Sequence, residues 1–270
     1  VNVEKLKKMK GKEKIVMVTA YDAPSARIAR DAGIDVILVG DSLGNNVLGY
    51  ENTIPVTMEE MLIHVAAVKR GAPDAFIVAD MPFLSYQTSV EKAVENAGKF
   101  LKVGANAVKI EGGEEFGELV QKLVESGIPV MGHIGLTPQF VNRFGGYRVQ
   151  GKTEKNREYL LRSARELEKR GAFAIVLELV VEEVAKEITE SVSIPTIGIG
   201  SGRFCDGQVL VWHDLLGLNP DFAPRFSKKY ANLYEVILKA LQEFRREVKE
   251  GLFPTEEHSF TDKSKGGVSS

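Results

Sequence analysis

Short apolar, β-branched runs recur along the chain and alternate with longer amphipathic stretches. The runs are Ile15–Thr19, Val36–Val39, Phe76–Ala79, Ala107–Ile110, Pro129–Gly132, Ala174–Leu177, Pro195–Ile199 and Val209–Trp212. Runs this short and continuously apolar predict strands buried on both faces of a parallel sheet. Between them, Pro24–Asp31, Met58–Arg70, Val90–Val103, Glu114–Ser126, Glu154–Arg170 and Glu182–Ser191 carry helical periodicity. Thr57 before Met58-Glu59-Glu60 reads as an N-cap with a capping box. Gly33, Gly71, Gly104, Gly127 and Gly171 read as helix C-terminal caps. Strand and helix alternate eight times, which predicts an α/β fold, the (β/α)8 TIM barrel. An open doubly wound sheet is the alternative, and it would call for a nucleotide fingerprint. The last two units depart from the pattern. Gly200-Ser201-Gly202-Arg203 follows the seventh run, a short Asp214–Gly217 stretch follows the eighth, and the long charged helix Lys228–Lys249 comes last. The expected organisation is one barrel domain over residues 1–260 and a polar Gly/Ser/Lys-rich tail over 261–270.

Composition narrows the partners. Thirty-five Lys and Arg oppose 37 Asp and Glu among 270 residues, without the basic excess or stripe of a nucleic-acid binder. The single cysteine, Cys205, excludes an intrachain disulfide or a cysteine-rich zinc site and fits a reducing compartment. No stretch approaches the roughly 20 apolar residues of a spanning helix, and Ile15–Val18 is far shorter than a signal-peptide core. A cytoplasmic location, with no membrane and no nucleic-acid partner, is expected.

Barrels of this kind carry their active sites at the C-terminal ends of the strands. The second strand ends Val39-Gly40-Asp41-Ser42, the third Val78-Ala79-Asp80 and the fifth Met131-Gly132-His133; the fourth reads Val108-Lys109-Ile110-Glu111 and the sixth ends Leu177-Glu178. Five consecutive strands thus end in an ionisable group. Residues i and i+2 share a face of a strand. Lys109 and Glu111 should therefore face the barrel mouth while Val108 and Ile110 meet the helices. The same parity pairs Val39 with Asp41, Val78 with Asp80 and Val176 with Glu178. Asp41, Asp80 and Glu111 would repel one another unless a cation is shared, and hard oxygen ligands without His or Cys suit Mg2+. The alternative for each is to cap the next helix.

Other residues carry paired readings. Glu178, in an apolar stretch, is a carboxylate buried with a partner or a base with a raised pKa. His133 is a structural histidine or an active-site donor. His64 reads as structural and Cys205 as an inert small residue. Gly198-Ile199-Gly200-Ser201-Gly202 is a backbone nest for an anionic tail or a tight turn. Gly135–Thr153 is too long for a plain connection, so it reads as a lid or a surface excursion.

These residues sit in VTAYDAPSARIARDAGIDVILVGDSLGNNVLGY (18–50), VADMPFLSY (78–86), VKIEGG (108–113), GHIGLTPQ (132–139), GGYRVQG (145–151), VLELV (176–180) and PTIGIGSG (195–202). Taken in order, the segments closely resemble the ketopantoate hydroxymethyltransferases. The resemblance implies a barrel of the phosphoenolpyruvate-mutase and isocitrate-lyase type, assembled as a ring-shaped homo-oligomer, a decamer. It implies transfer of a hydroxymethyl group from 5,10-methylenetetrahydrofolate to 3-methyl-2-oxobutanoate through a Mg-stabilised enolate. The product is 2-dehydropantoate, at the first committed step toward pantothenate. By the family pattern Asp41, Asp80 and Glu111 surround Mg2+, partly through water. Ser42 and Lys109, with the two aspartates, contact the oxo acid. Glu178 is the proton acceptor. His133, read as an active-site donor, would be an auxiliary group. No equally sharp motif marks the folate pocket.

Two rival classes share parts of this pattern. A lyase on the same barrel would resemble its relatives in a Lys-Lys-Cys-Gly-His-type loop, and the only cysteine here lies in Arg203-Phe204-Cys205-Asp206. A non-catalytic barrel that binds the same ligands has no need of Glu178.

Overall fold

The computed structural model describes residues Val1–Asp262. They form two compact units, Val1–Trp212 and one that begins at His213, where the sequence reads as one barrel domain over residues 1–260. Of the tail expected over 261–270, all beyond Asp262 lies outside the described residues.

The first unit is a closed barrel of eight parallel strands in sequence order. They are β1 (Ile15–Thr19), β2 (Val36–Val39), β3 (Ile77–Asp80), β4 (Ala107–Glu111), β5 (Val130–Gly135), β6 (Ala174–Glu178), β7 (Thr196–Ile199) and β8 (Gly207–Leu210). β8 pairs back onto β1, with Gly207 opposite Ile15. This last strand starts two residues before the expected Val209. A Cβ on Gly207 would stand 2.4 Å from the Ile15 carbonyl oxygen, so the pairing accepts only glycine, and glycine conceals the strand from an apolar pattern.

The helices are α1 (Val3–Met9), α2 (Ala23–Asp31), α3 (Leu43–Asn46), α4 (Met58–Gly71), α5 (Val90–Val103), α6 (Gly117–Glu125), α7 (Val141–Phe144), α8 (Glu154–Lys169), α9 (Glu182–Ser191), α10 (Trp212–Leu215) and α11 (Leu233–Lys249). The expected capping box is present at α4: Glu60 N donates to Thr57 Oγ1 (3.1 Å) and Thr57 N to Glu60 Oε1 (2.9 Å). Gly33, Gly104, Gly127 and Gly171 have positive φ, as caps require. Gly71 does not. It is the last residue of α4, and a Cβ there would fall 2.1 Å from the Ala23 carbonyl oxygen, so it is a close-packing glycine. α1 is not visible as a helix in the apolar pattern. Its Leu6 and Met9 join Ile15, Met17, Val36, Val78, Met131 and Val176 in the barrel's inner core, which closes the N-terminal end.

In the second unit α11 is a 17-residue helix. It starts five residues after Lys228, where the charge pattern places it. Among the described residues no helix is long and apolar enough to cross a membrane.

Candidate active site

Asp41, Ser42, Asp80, Lys109, Glu111, His133 and Glu178 all line one cavity of about 100 Å3 at the C-terminal mouth of the barrel, together with Thr53. A larger cavity of about 320 Å3 lies among Gly112, Phe140 and Tyr159. None of those seven residues reaches it, so size does not locate the chemistry.

Strand parity places most of these side chains. Val78, Ala107, Met131 and Val176 belong to the inner core, and Asp80, Lys109, His133 and Glu178 follow them at even spacing into the mouth. Asp41 is the exception. Leu38, not Val39, is the inward residue of β2, so parity alone would send Asp41 outward. The strand stops at Val39 and the chain turns, with Leu43 N bonded to Gly40 O and Gly44 N to Asp41 O. A Cβ on Gly40 would lie 2.8 Å from Ser42 Oγ and 3.4 Å from Asp80 Oδ2. Glycine therefore lets the turn swing Asp41 back over the mouth.

The buried groups form one connected network. Lys109 Nζ donates to His133 Nδ1 (2.7 Å), and His133 Nε2 lies 2.8 Å from Glu178 Oε2. Burial alone would lower the Lys109 pKa, but Asp80, Glu111 and Asp41 outweigh it and raise it. The ammonium therefore persists, and Nδ1 can only accept. That assigns the imidazole proton to Nε2, donating to Glu178. Burial, then Lys109, push the His133 pKa well below its ordinary value, so the ring stays neutral.

The carboxylates go the other way. Burial first, then Asp80 and Glu111, raise the Asp41 pKa well above its ordinary value. Burial raises Glu111 to about 8, against the pull of Lys109. Burial also raises Glu178 to about 7, again with Lys109 opposing. The Glu178 side chain is 16% exposed against 3% for Lys109 and 4% for His133. It is a carboxylate with near-neutral affinity for a proton and some access to the cavity, as a general base requires.

These donors suit a hard cation. They are oxygens without thiolates, and Asp80 Oδ1 is buried without a hydrogen bond although Lys109 Nζ is 3.1 Å away. Among the described residues, however, no three His, Cys, Asp or Glu side chains are arranged to hold a metal ion directly. The donor set fits a cation whose shell is completed by water and by ligand oxygens.

Several groups at the mouth carry no signal in a pattern of charges. Gln139, 2% exposed, donates Nε2 to Asp41 Oδ2 and its backbone N to Glu111 Oε2. Tyr86 OH bonds Gln139 Oε1, and Tyr21 OH bonds Ser42 Oγ. Thr53 Oγ1 is buried without a partner. The end of the long loop is tied beside Glu178: Gln150 N donates to Leu179 O (2.7 Å) and Val181 N to Gln150 O (3.0 Å). Leu179 itself has φ +48, a strained conformation for a branched residue that recurs at functional sites. The Gly200–Gly202 segment behaves as a turn: Ser201 Oγ donates to Leu177 O and accepts from Val180 N. His64 bonds the Tyr21 carbonyl. Burial raises the Cys205 pKa, which keeps the thiol inert.

A closed parallel barrel with an acidic mouth defines a class. Solved structures of similar fold include 2,3-dimethylmalate lyase, described as a PEP mutase/isocitrate lyase superfamily member, with a TM-score of 0.60 and 16% identity over 92% of this chain and 98% of that one. Phosphonopyruvate hydrolase matches with a TM-score of 0.62 and 12% identity over 97% and 93%. The likeness is one of fold, the closed barrel of eight parallel strands.

Sequence comparison resolves the family. The model for ketopantoate hydroxymethyltransferase matches residues 1–256. The 3-methyl-2-oxobutanoate hydroxymethyltransferase of Thermotoga neapolitana is 91% identical over the full length of both chains. That of Pyrococcus furiosus is 59% identical over 94% of this chain and 90% of its own. The chain belongs to the ketopantoate hydroxymethyltransferase family and is a transferase.

Proposed function

We propose that this enzyme moves a hydroxymethyl group from 5,10-methylenetetrahydrofolate to 3-methyl-2-oxobutanoate, giving 2-dehydropantoate on the route to pantothenate. The observation that carries the reading is the Lys109–His133–Glu178 chain, which sets a cation at one end and a near-neutral carboxylate at the other. The substrate has the matching asymmetry, with anionic oxygens at one end and a weakly acidic C3–H at the other. Lys109 binds the oxygens. Ser42 and Thr53 supply hydroxyls beside it. Glu178 removes the C3 proton, and neutral His133 holds Oε2 so that the other oxygen meets the carbon. The carbanion then attacks the folate's methylene carbon after one of its two carbon–nitrogen bonds has opened. Water displaces the second nitrogen and supplies the product's hydroxyl, and tetrahydrofolate leaves with both nitrogens protonated.

Asp41, Asp80 and Glu111 would hold Mg2+, in part through water. When bound, it supplies Lewis-acid stabilisation of charge on the substrate oxygens. The loop around Tyr147 and Arg148 excludes water from the folate electrophile. A cytoplasmic homo-oligomer, the ring implied by the family resemblance, completes the reading; light scattering showing only monomer at micromolar concentration would remove that part alone. The reading as a whole is tested by product formation from the oxo acid, methylenetetrahydrofolate and Mg2+. No product with all three present would overturn it.

A further inference from the structure

The three carboxylates at the mouth share a pattern that their positions in the chain do not explain. The protein donates to one oxygen of each. Asp80 Oδ2 accepts from Asp41 N (2.9 Å), Asp41 Oδ2 from Gln139 Nε2 (2.8 Å), and Glu111 Oε2 from Gln139 N (2.9 Å). The opposite oxygens are not held in this way: Asp80 Oδ1 makes no hydrogen bond among the described residues, although Lys109 Nζ is 3.1 Å away, and Glu111 Oε1 lies 3.7 Å from His133 Nδ1. Two of the three tethers come from one residue, Gln139, in the short turn Pro138–Phe140 of the β5–α8 loop.

The chemistry of that residue is specific. An amide offers two hydrogens and an acceptor, and all are engaged. Nε2 also donates to Met81 O (2.8 Å), while Oε1 lies 3.0 Å from Tyr86 OH, which shares its one hydrogen with Glu111 O (2.7 Å). A carboxylate and a carbonyl on one side, both acceptors, assign the amide nitrogen to that side. Glutamate would present acceptors to acceptors. Methionine would fill the space, keep the backbone donor to Glu111 and remove the side-chain donor to Asp41. A buried carboxylate beside others of the same charge would otherwise be free to rotate or turn away.

We propose that Gln139 is a positioning residue for the acidic site. It ties one oxygen of Asp41 and one of Glu111, so that the opposite oxygens stay presented to a divalent cation and the oxo acid. The β5–α8 loop thereby sets cation affinity as well as covering the mouth. The inference rests on the reading of Asp41 as a cation ligand.

The test uses calorimetric titration of the full-length chain with Mg2+, in the presence of 3-methyl-2-oxobutanoate, so it does not depend on turnover. Gln139→Met should weaken Mg2+ binding by about 10- to 100-fold, the usual cost of losing a group that orients a metal ligand. Asp41→Asn should weaken it too. In the Asp41→Asn background, Gln139→Met should add little, because the tethered charge is already gone. A merely structural role predicts that the two losses add, or that melting falls while Mg2+ affinity holds. Either result overturns the inference. Gln139→Leu removes the same side-chain donor with a different shape, so it gives a second reading should Gln139→Met not fold. A loss of similar size is expected, and an unchanged constant overturns the proposal. Wild-type protein that binds no Mg2+ would instead remove the cation reading of Asp41 on which the inference stands.

Discussion

The barrel holds charge at both ends, and the two clusters follow different rules. At the floor, Lys10 Nζ donates to Thr189 O (2.8 Å), Ile194 O (3.1 Å) and Asp206 Oδ2 (2.7 Å). Three hydrogens meet three acceptors. Asp206 Oδ2 also accepts from Thr196 N (2.9 Å). One cation faces one anion, and the ammonium has no donor to spare. At the mouth, one lysine and a neutral histidine face Asp41, Asp80, Glu111 and Glu178, and an oxygen of Asp80 is left without a hydrogen bond. A cluster that balances itself pins structure. A buried cluster with surplus charge is costly, and such departures from self-consistency mark places where a ligand completes the arrangement.

The sharpest way to break that contrast is to remove the base while keeping the shape. Glu178→Gln should lose turnover by at least ~10²-fold, the usual worth of a positioned general base. It should still bind the oxo acid, and it should lose exchange of the C3 hydrogen with deuterated water in the absence of folate. Exchange at the wild-type rate would assign proton removal to another group and leave Glu178 a binding residue. Next in size is Lys109→Ala. Its ammonium is the one buried cation among the described residues at the mouth, and an anionic substrate should bind about 1.5–3 kcal/mol more weakly without it, the range for a hydrogen bond to a charged group. An unchanged dissociation constant would make Lys109 a structural ion-pair partner, like Lys10.

The contrast also separates what the chain shows in one dimension from what it conceals. The eight-unit alternation and the ionisable strand ends are visible because strand periodicity is local. The observed inward placement of Asp80, Lys109, Glu111, His133 and Glu178 follows from that period. Asp41 does not, because its place is set by a turn at Gly40 that answers to Ser42 and Asp80. Gln139, Tyr86 and Thr53 are neutral residues in loops, and only folding shows that their polar groups converge on buried oxygens. The floor is equally silent. Lys10 is one of several lysines in the stretch Lys5–Lys14, and nothing local distinguishes it from its solvated neighbours.

That silence gives a prediction for the floor. Lys10→Met leaves two buried carbonyls and Asp206 without their donor. It should cost about 1–3 kcal/mol of stability, the penalty for stranding buried polar groups, measured by denaturant unfolding. Turnover per folded molecule should stay at the wild-type value. A selective fall in turnover would mean that the floor is coupled to the mouth and that the two clusters are not independent.

The last effect is a slope, and it separates the clusters by pH. Burial moves Glu111 from an ordinary 4.5 to about 8 and Glu178 from 4.5 to about 7. The folded chain therefore holds these protons more tightly than the unfolded chain does. A group raised in this way contributes stability that is fully present below about 4.5 and is lost as pH rises through 7 and 8. In chelator, stability should fall between pH 5 and 8, by at most about 1.4 kcal/mol per pH unit for each group. Glu178→Gln should remove its own share of the slope. Lys10→Met should lower the whole curve and leave the share of the slope set by Glu111 and Glu178 in place, because those groups lie at the other end of the barrel. Added Mg2+ should flatten the slope, since a cation at the mouth favours the ionised carboxylates that burial disfavours. A wild-type curve flat from pH 5 to 8 in chelator, with the Glu178→Gln curve parallel to it, would mean that the mouth's negative charge is already neutralised without a ligand, and the distinction between the two ends of the barrel would fail.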